Sequence, residues 1–211
     1  GNVLAFFPGE GEIRKCEELL TRQLKGVTIH PLYGKLPHKK QLAAILPDKS
    51  GKRKVVLATS IAETSLTIEG IKIVVDTGFG RKSQFDPKSG LSRLVTVQIS
   101  KDSADQRAGR AGRLSPGVCY RMWSKATDLR LNEHRTPEIL EADLCPLMLD
   151  LAQWGIRDAS QLLWLNSPPA GALAKASETL HQLGALENGT ITDHGKRIHQ
   201  LPCHPRIAHM L

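Results

Sequence analysis

The feature that most constrains this chain is an alternation in its N-terminal half, where short, continuously apolar runs are separated by helical patterns. Val3-Leu4-Ala5-Phe6-Phe7 is such a run, and a strand without polar alternation is one buried on both faces. A turn at residues 8–12 leads into a helical pattern with Ile13, Cys16, Leu19, Leu20 and Leu24 on one side and Gly26 as its stop. Val27 to Leu32 reads as a second strand, residues 38–46 as a helix, Lys54 to Ala58 as a third strand and Ile71 to Asp76 as a fourth. Strands alternating with helices at this spacing predict an α/β fold built on a parallel sheet. Ligands of such sheets lie beyond the carboxyl ends of the strands. That gathers the loops at Pro8-Gly9, Tyr33-Gly34 and Thr59-Ser60 on one rim.

Two stretches carry the chemistry. The loop after the third strand, Ala58 to Gly70, holds five hydroxyl side chains and two carboxylates in thirteen residues. Helix capping accounts for two or three of those hydroxyls and leaves the rest unexplained. Further on, Gln106-Arg107-Ala108-Gly109-Arg110-Ala111-Gly112-Arg113 repeats arginine at every third position. Guanidinium groups are planar forks that match phosphate oxygens, and on a continuing helix this spacing makes a stripe. Read alone, the stretch is an Arg/Gly tract that binds nucleic acid loosely. Its place after the hydroxyl-rich loop argues for a built site instead.

These residues resemble the DEAH-box helicases. Ala58 to Gly70 looks like their motif V, Gln106 to Arg113 like motif VI, and Leu4 to Ile13 like motif IV. Pro31-Leu32-Tyr33-Gly34-Lys35-Leu36-Pro37, with Gln41, is similar to the motif that follows motif IV. All four stand in the family's order and spacing, and the nearest likeness is to the bacterial HrpB-type branch, which Gln153-Trp154-Gly155, Leu163-Trp164-Leu165 and Ser167-Pro168-Pro169 also resemble. The resemblance implies a second RecA-like domain over residues 1–135, its parallel sheet covered by helices on both faces and interrupted by an inserted β-hairpin. A small, mainly helical winged-helix domain over 136–200 and the start of a helical bundle at 201–211 would follow.

The same resemblance assigns roles. Arg110 and Arg113 match the arginine fingers, and Gln106 matches the residue beside the γ-phosphate and attacking water. Arg107 is left unassigned. Ser65, Thr67 and Glu69 match positions near the nucleotide and metal-bound water. Pro8, Gly9, Gly34, Thr59 and Ser60 match nucleic-acid-backbone positions, with Arg81 and Lys82 of the hairpin beside the strand path. Relatives commonly carry Asn at Ser60, and often an aromatic near Leu46. The implied cofactors are ATP and Mg²⁺, and the implied partner is single-stranded nucleic acid, RNA rather than DNA.

No GxxxxGK[ST] loop and no DEAH stretch occurs among the 211 residues. The resemblance therefore puts the phosphate cradle and Mg²⁺ ligands in an N-terminal RecA-like domain of the same protein. Both ends of the chain read as cuts through something longer, and the fragment alone is expected to lack ATPase activity. The alternative class is a non-catalytic adaptor that uses the same fold to bind nucleic acid.

Composition agrees with either class. With 40% hydrophobic and 24% charged residues the chain is globular, and its net charge of +8 favours a polyanionic partner. Cys16, Cys119, Cys145 and Cys203 form no CxxC pair and read as reduced thiols, which suggests a cytoplasmic protein. His194, His199, His204 and His209 recur every five residues, about 140° apart on a helix, so they share no face and no metal site is expected. There is no run long enough to span a membrane, and a monomer is expected.

Residues 80–100 read as a hairpin turning at Asp86 to Gly90, with Arg81, Lys82, Lys88 and Arg93 as its cations. Gly117 to Met122 reads as a last strand and Lys125 to Pro137 as a linker. A helical stripe of Leu140, Leu144, Leu147, Leu151 and Trp154 follows, then a helix from about Ala170 to Leu183 and a tight turn near Asn188-Gly189.

Overall fold

A computed structural model describes residues 1–48, 50–64, 66–86, 91–113 and 115–211. Two compact units emerge: residues 1–82 with 94–135, and residues 83–93 with 136–211.

In the first unit the chain runs β1 (Asn2–Phe6), α1 (Glu10–Gln23), β2 (Val27–Leu32), α2 (His38–Ile45), β3 (Arg53–Ala58) and β4 (Ile71–Asp76). The strands β5 (Phe79–Asp86) and β6 (Leu91–Gln98) pair as a separate ribbon, of which only residues 79–82 and 94–98 belong to this unit. Helix α3 (Lys101–Ala108), strand β7 (Val118–Arg121) and helix α4 (Lys125–Arg130) complete it. The main sheet has the order β2-β3-β1-β4-β7, and every neighbouring pair is parallel. Its register sets Leu32, Ala58, Phe6, Asp76 and Arg121 in one row at the carboxyl edge.

The period of two along each strand divides the core. Leu4, Phe6, Val56, Ala58 and Val74 pack on one face with Ala44 of α2 and with Ala62, Ile68 and Ala111. Ala5, Leu57, Val55 and Val75 pack on the other with Ile13, Cys16 and Leu20 of α1. Helices thus cover both faces, as the apolar strands require. The α1 stripe is narrower than expected, because Leu19 and Leu24 are exposed. Lys54, buried within β3, turns its ammonium onto the orphan carbonyls at the end of α2: Nζ donates to Ala44 O at 2.6 Å, Ile45 O at 3.2 Å and Leu46 O at 2.7 Å.

The expected linker at 125–137 is partly helical. Ser124 caps α4, its Oγ accepting from Thr127 N at 3.1 Å.

The second unit holds α5 (Cys145–Gln153), α6 (Ala170–Gln182), β8 (Leu186–Glu187), β9 (Thr190–Ile191), α7 (Asp193–His199) and α8 (Pro205–Met210). Asn188 (φ 49°) and Gly189 (φ 72°) both take the left-handed region that a two-residue hairpin turn between β8 and β9 demands. Leu144, Leu149, Ala176, Leu180 and Ile198 form its core. The expected Leu/Trp stripe does not all face inward, since Leu140 and Trp154 are exposed. The helix begins only at Cys145, where Asp143 Oδ1 accepts from Cys145 N at 2.8 Å and Pro146 opens the first turn. A stripe begun at Leu140 therefore lies partly outside the helix. No helix among the described residues is long and apolar enough to cross a membrane.

Candidate functional site

The carboxyl row of the sheet is tied together by its own backbone. Phe7 N donates to Ala58 O at 2.8 Å, Thr59 N to Leu32 O at 3.2 Å, and Thr77 Oγ1 to Phe6 O at 2.9 Å. Pro8, Gly9, Gly34, Thr59 and Ser60 all leave this one edge, as the sequence led us to expect. Ser60 and Gly34 are exposed, and Ser60 opens a single 3-10 turn, Ser60–Ala62. Arg81 joins them: a Cβ on Gly9 would stand 2.7 Å from Arg81 Nε, so the guanidinium lies directly over the turn. Its Nη2 is 3.7 Å from Glu12 Oε1. Lys82 is half-buried within the same ribbon, and Arg93 is exposed. Lys88 and Ser65 lie outside the described residues.

Glu69 belongs elsewhere. Its carbonyl accepts from Asn2 Nδ2 at 3.2 Å, at the amino edge of the sheet, opposite to Thr59. Thr67 and Glu69 are exposed while Ile68 between them is buried.

The three arginines do not form a stripe. Helix α3 ends at Ala108, and beyond Gly109 the chain continues as turns, with Arg110 N on Arg107 O at 3.1 Å and Ala111 N on Ala108 O at 3.0 Å. Only Arg107 is therefore helical, and the three side chains reach three depths. Arg107 is 1% exposed. Its Nε donates to Glu63 Oε2 at 3.2 Å, its Nη1 to Asp76 Oδ1 at 2.8 Å and to Phe79 O at 3.2 Å, and its guanidinium carbon lies 4.8 Å from the Phe6 ring centre. Arg113 and Gln106 are exposed.

Arg110 is half-buried against the loop after β3. Its Nε donates to Glu63 O at 2.8 Å, its Nη2 to the same carbonyl and its Nη1 to Leu66 O at 2.7 Å. Three of the five N–H donors of the fork are thus engaged among the described residues. Arg110 and Arg113 border a shallow depression floored by Leu66, Ile68 and Ile71. Burial, and then the charge of Arg113, push the Arg110 guanidinium below its ordinary pKa. Two guanidinium groups this close at one depression repel each other, and a bound anion would relieve that repulsion.

The sequence did not point to Glu63 and Asp76. They are 2% and 0% exposed. Glu63 also takes a second arginine, Arg135 Nη2 on Oε1, and Arg135 Nε donates to Ser103 Oγ at 2.7 Å. A carboxylate ending an apolar strand, as Asp76 ends β4, was the one signal available.

The four C-terminal histidines do not gather at one point, although His194 of α7 and His209 of α8 do meet. His194 meets His209 at 2.8 Å, His199 meets Asp150 at 2.9 Å and His204 meets Asp143 at 3.0 Å. Among the described residues, Asp143, Cys145 and His204 are the one group whose potential ligand atoms lie within 4.8 Å of each other. Burial, helped by the Asp143 carboxylate, pushes the Cys145 thiol up to about 12, and Asp143 is already shared between the α5 amide and His204. The trio is explained as a neutral thiol beside a hydrogen-bonded His–Asp pair.

A family model described as the helicase conserved C-terminal domain matches residues 1–115. The ATP-dependent RNA helicase HrpB of Escherichia coli (strain K12) is 47% identical over 212 residues, covering 100% of this chain and 26% of that protein. Crystal structures of the E. coli DExH-box NTPase HrpB and of the E. coli DEAH/RHA helicase HrpB are similar with TM-scores of 0.90 and 0.94. Each is 46% identical and is matched over all of this chain, which covers 26% and 27% of theirs. The chain thus spans about a quarter of the length of these relatives. A parallel five-stranded sheet flanked by helices, with Arg107 and Arg110 packed on the loop after its third strand, is the form in which the chain belongs to the helicase conserved C-terminal domain family.

Proposed function

We propose that this chain is the C-terminal part of an ATP-dependent nucleic-acid helicase, acting on RNA rather than DNA, and that it supplies one half of a nucleotide site shared with an N-terminal RecA-like domain. The observation that carries this reading is the graded placement of one motif: Arg107 locked inside, Arg110 seated on the loop after β3, Arg113 and Gln106 outside. An adaptor has no use for two mutually repelling guanidinium groups at the border of one depression.

In this reading the substrate ATP is gripped by the missing domain, and Arg110 and Arg113 approach its γ-phosphate when the cleft closes. Charge that spreads over the phosphoryl oxygens during transfer is stabilised by such arginines, an effect worth about 10³–10⁵ in rate. Gln106, exposed on the last turn of α3, orients the attacking water. Thr67 and Glu69 face the nucleotide side, and Ser65 belongs to the same proposal.

Mg²⁺ prefers oxygen ligands in octahedral array. The one three-ligand group among the described residues contains a thiol and an imidazole and does not suit the ion, whose ligands this reading puts in the N-terminal domain.

Nucleic acid lies along the other edge. Pro8, Gly9, Gly34, Thr59 and Ser60 present backbone and hydroxyl groups there, and Arg81 and Lys82 add charge. Contacts of this kind grip phosphates and not bases. Residues 1–135 act as the RecA-like domain, 136–200 as a winged helix and 201–211 as the entry to a helical bundle, in a monomeric cytoplasmic protein. The test is ATP hydrolysis by the full-length protein with RNA or DNA oligomers. Stimulation by RNA supports the reading. Absence of hydrolysis with either nucleic acid overturns it, and so does turnover by residues 1–211 alone that Arg110→Ala abolishes.

A further inference from the structure

We infer that Glu63 and Arg135 are positioning residues for Arg110, an assignment that rests on the arginine-finger reading above. Glu63 is the one residue touched by all three of the arginines that hold this region together. Its carbonyl receives two donors from Arg110, and its carboxylate is held by Arg107 on one oxygen and by Arg135 on the other. Glu63 N closes the 3-10 turn on Ser60 O at 2.9 Å, so the residue has little freedom to rotate.

A finger works only if its fork is aimed before the phosphate arrives, because misplacement of about 1 Å costs on the order of 100-fold in rate. A lone main-chain carbonyl in a surface loop aims poorly. Glu63 is different, because its buried carboxylate is fixed by two opposing guanidinium groups and the carbonyl moves with it. Arg107 reaches it from 44 residues away and Arg135 from 72, so the seat of Arg110 is set by tertiary structure. Arg135 is also the last residue of the first unit, with Thr136 opening the second stretch of the other. Its side chain is 57% exposed. A change at Arg135 therefore costs the fold less than one at the buried Arg107.

The experiment uses the full-length protein with saturating RNA, and compares wild type, Glu63→Gln, Arg135→Ala, Arg135→Lys, Arg110→Ala and the Arg110→Ala/Arg135→Ala pair. Arg135→Ala and Glu63→Gln lower kcat by about tenfold to 100-fold with KM for ATP unchanged. Arg135→Lys, which keeps a charge on Glu63, restores part of the loss. Arg135→Ala costs nothing further once Arg110 is alanine, because residues acting as one unit are not additive. Full additivity of that pair, or an unchanged kcat in both single variants, overturns the inference while leaving the finger reading intact. If Glu63→Gln is poorly folded, the Arg135 series decides alone. A wild-type protein without ATPase activity overturns the finger reading itself.

Discussion

Replacing Arg107 by methionine removes a buried guanidinium while keeping most of its volume. Asp76 keeps one amide donor, Gly78 N at 2.9 Å, and its Oδ2 already lacks a partner among the described residues. Glu63 keeps Arg135. The variant thus strands one carboxylate at 0% exposure and half-compensates another. Breaking a buried ion pair by removing one partner costs about 3–5 kcal/mol, a large share of the stability of a single domain. With a urea m-value of about 2 kcal/mol per M, the midpoint falls by roughly 1.5–2.5 M. Trp123 reports on the first unit: it packs against Gly78, where a Cβ would stand 2.8 Å from its Cε3, and its Nε1 donates to Asp128 at 2.8 Å. Fluorescence in a Trp154→Phe, Trp164→Phe background therefore follows the right unit. Adding Asp76→Asn to Arg107→Met removes the stranded charge and recovers part of the loss. A midpoint drop below about 0.5 M for Arg107→Met, or a double variant as unstable as the sum of the singles, would refute a charge-balanced interior.

Three further outcomes are expected. Gly117→Ala puts a Cβ 2.2 Å from Ala111 O and 2.7 Å from Lys72 O, both main-chain atoms, so it lowers stability by about 1–3 kcal/mol or more in the same urea assay. Cys145, whose thiol stays protonated up to about 12, resists iodoacetamide at pH 8 in the folded protein and reacts on unfolding. The unfolded thiol ionises first, so the stability that wild type holds over Cys145→Ala is complete below the ordinary thiol range and shrinks as pH rises through it toward 12, by at most about 1.4 kcal/mol per unit. Single-stranded oligonucleotides should bind the full-length protein with an affinity that falls steeply with salt, and Arg81→Ala should reduce that slope by about one. Binding insensitive to salt in a titration would contradict backbone gripping.

What the sequence made legible follows from range. Each strand of the sheet is a local apolar run, so β1 to β4 could be read within a residue or two of their ends, and with them the rim that carries Gly9, Gly34 and Ser60. The arginine repeat was misread as a stripe because spacing arguments assume a helix that continues. Helix α3 ends at Ala108 and the chain goes on in turns, so Arg107, Arg110 and Arg113 part company. The buried set of Glu63, Asp76, Arg107 and Arg135 was illegible for another reason. A charged residue is a surface residue by default, and these four come together across separations of 31 to 72 positions that no window samples. Helix α4 was passed over because six residues give too little periodicity to register. Leu140 precedes α5 and Trp154 caps its far end, so neither is held to the inward face that the periodicity predicts.

In the proposed function, Arg110 and Arg113 act on a nucleotide held by another domain. The most direct measurement is single-turnover ATP hydrolysis by the full-length protein at saturating RNA, comparing wild type with Arg110→Ala and Arg113→Ala. The account predicts a fall of about 10³-fold or more in the chemical step, with ATP and RNA binding retained in both variants. Hydrolysis within a few-fold of wild type in both would contradict it.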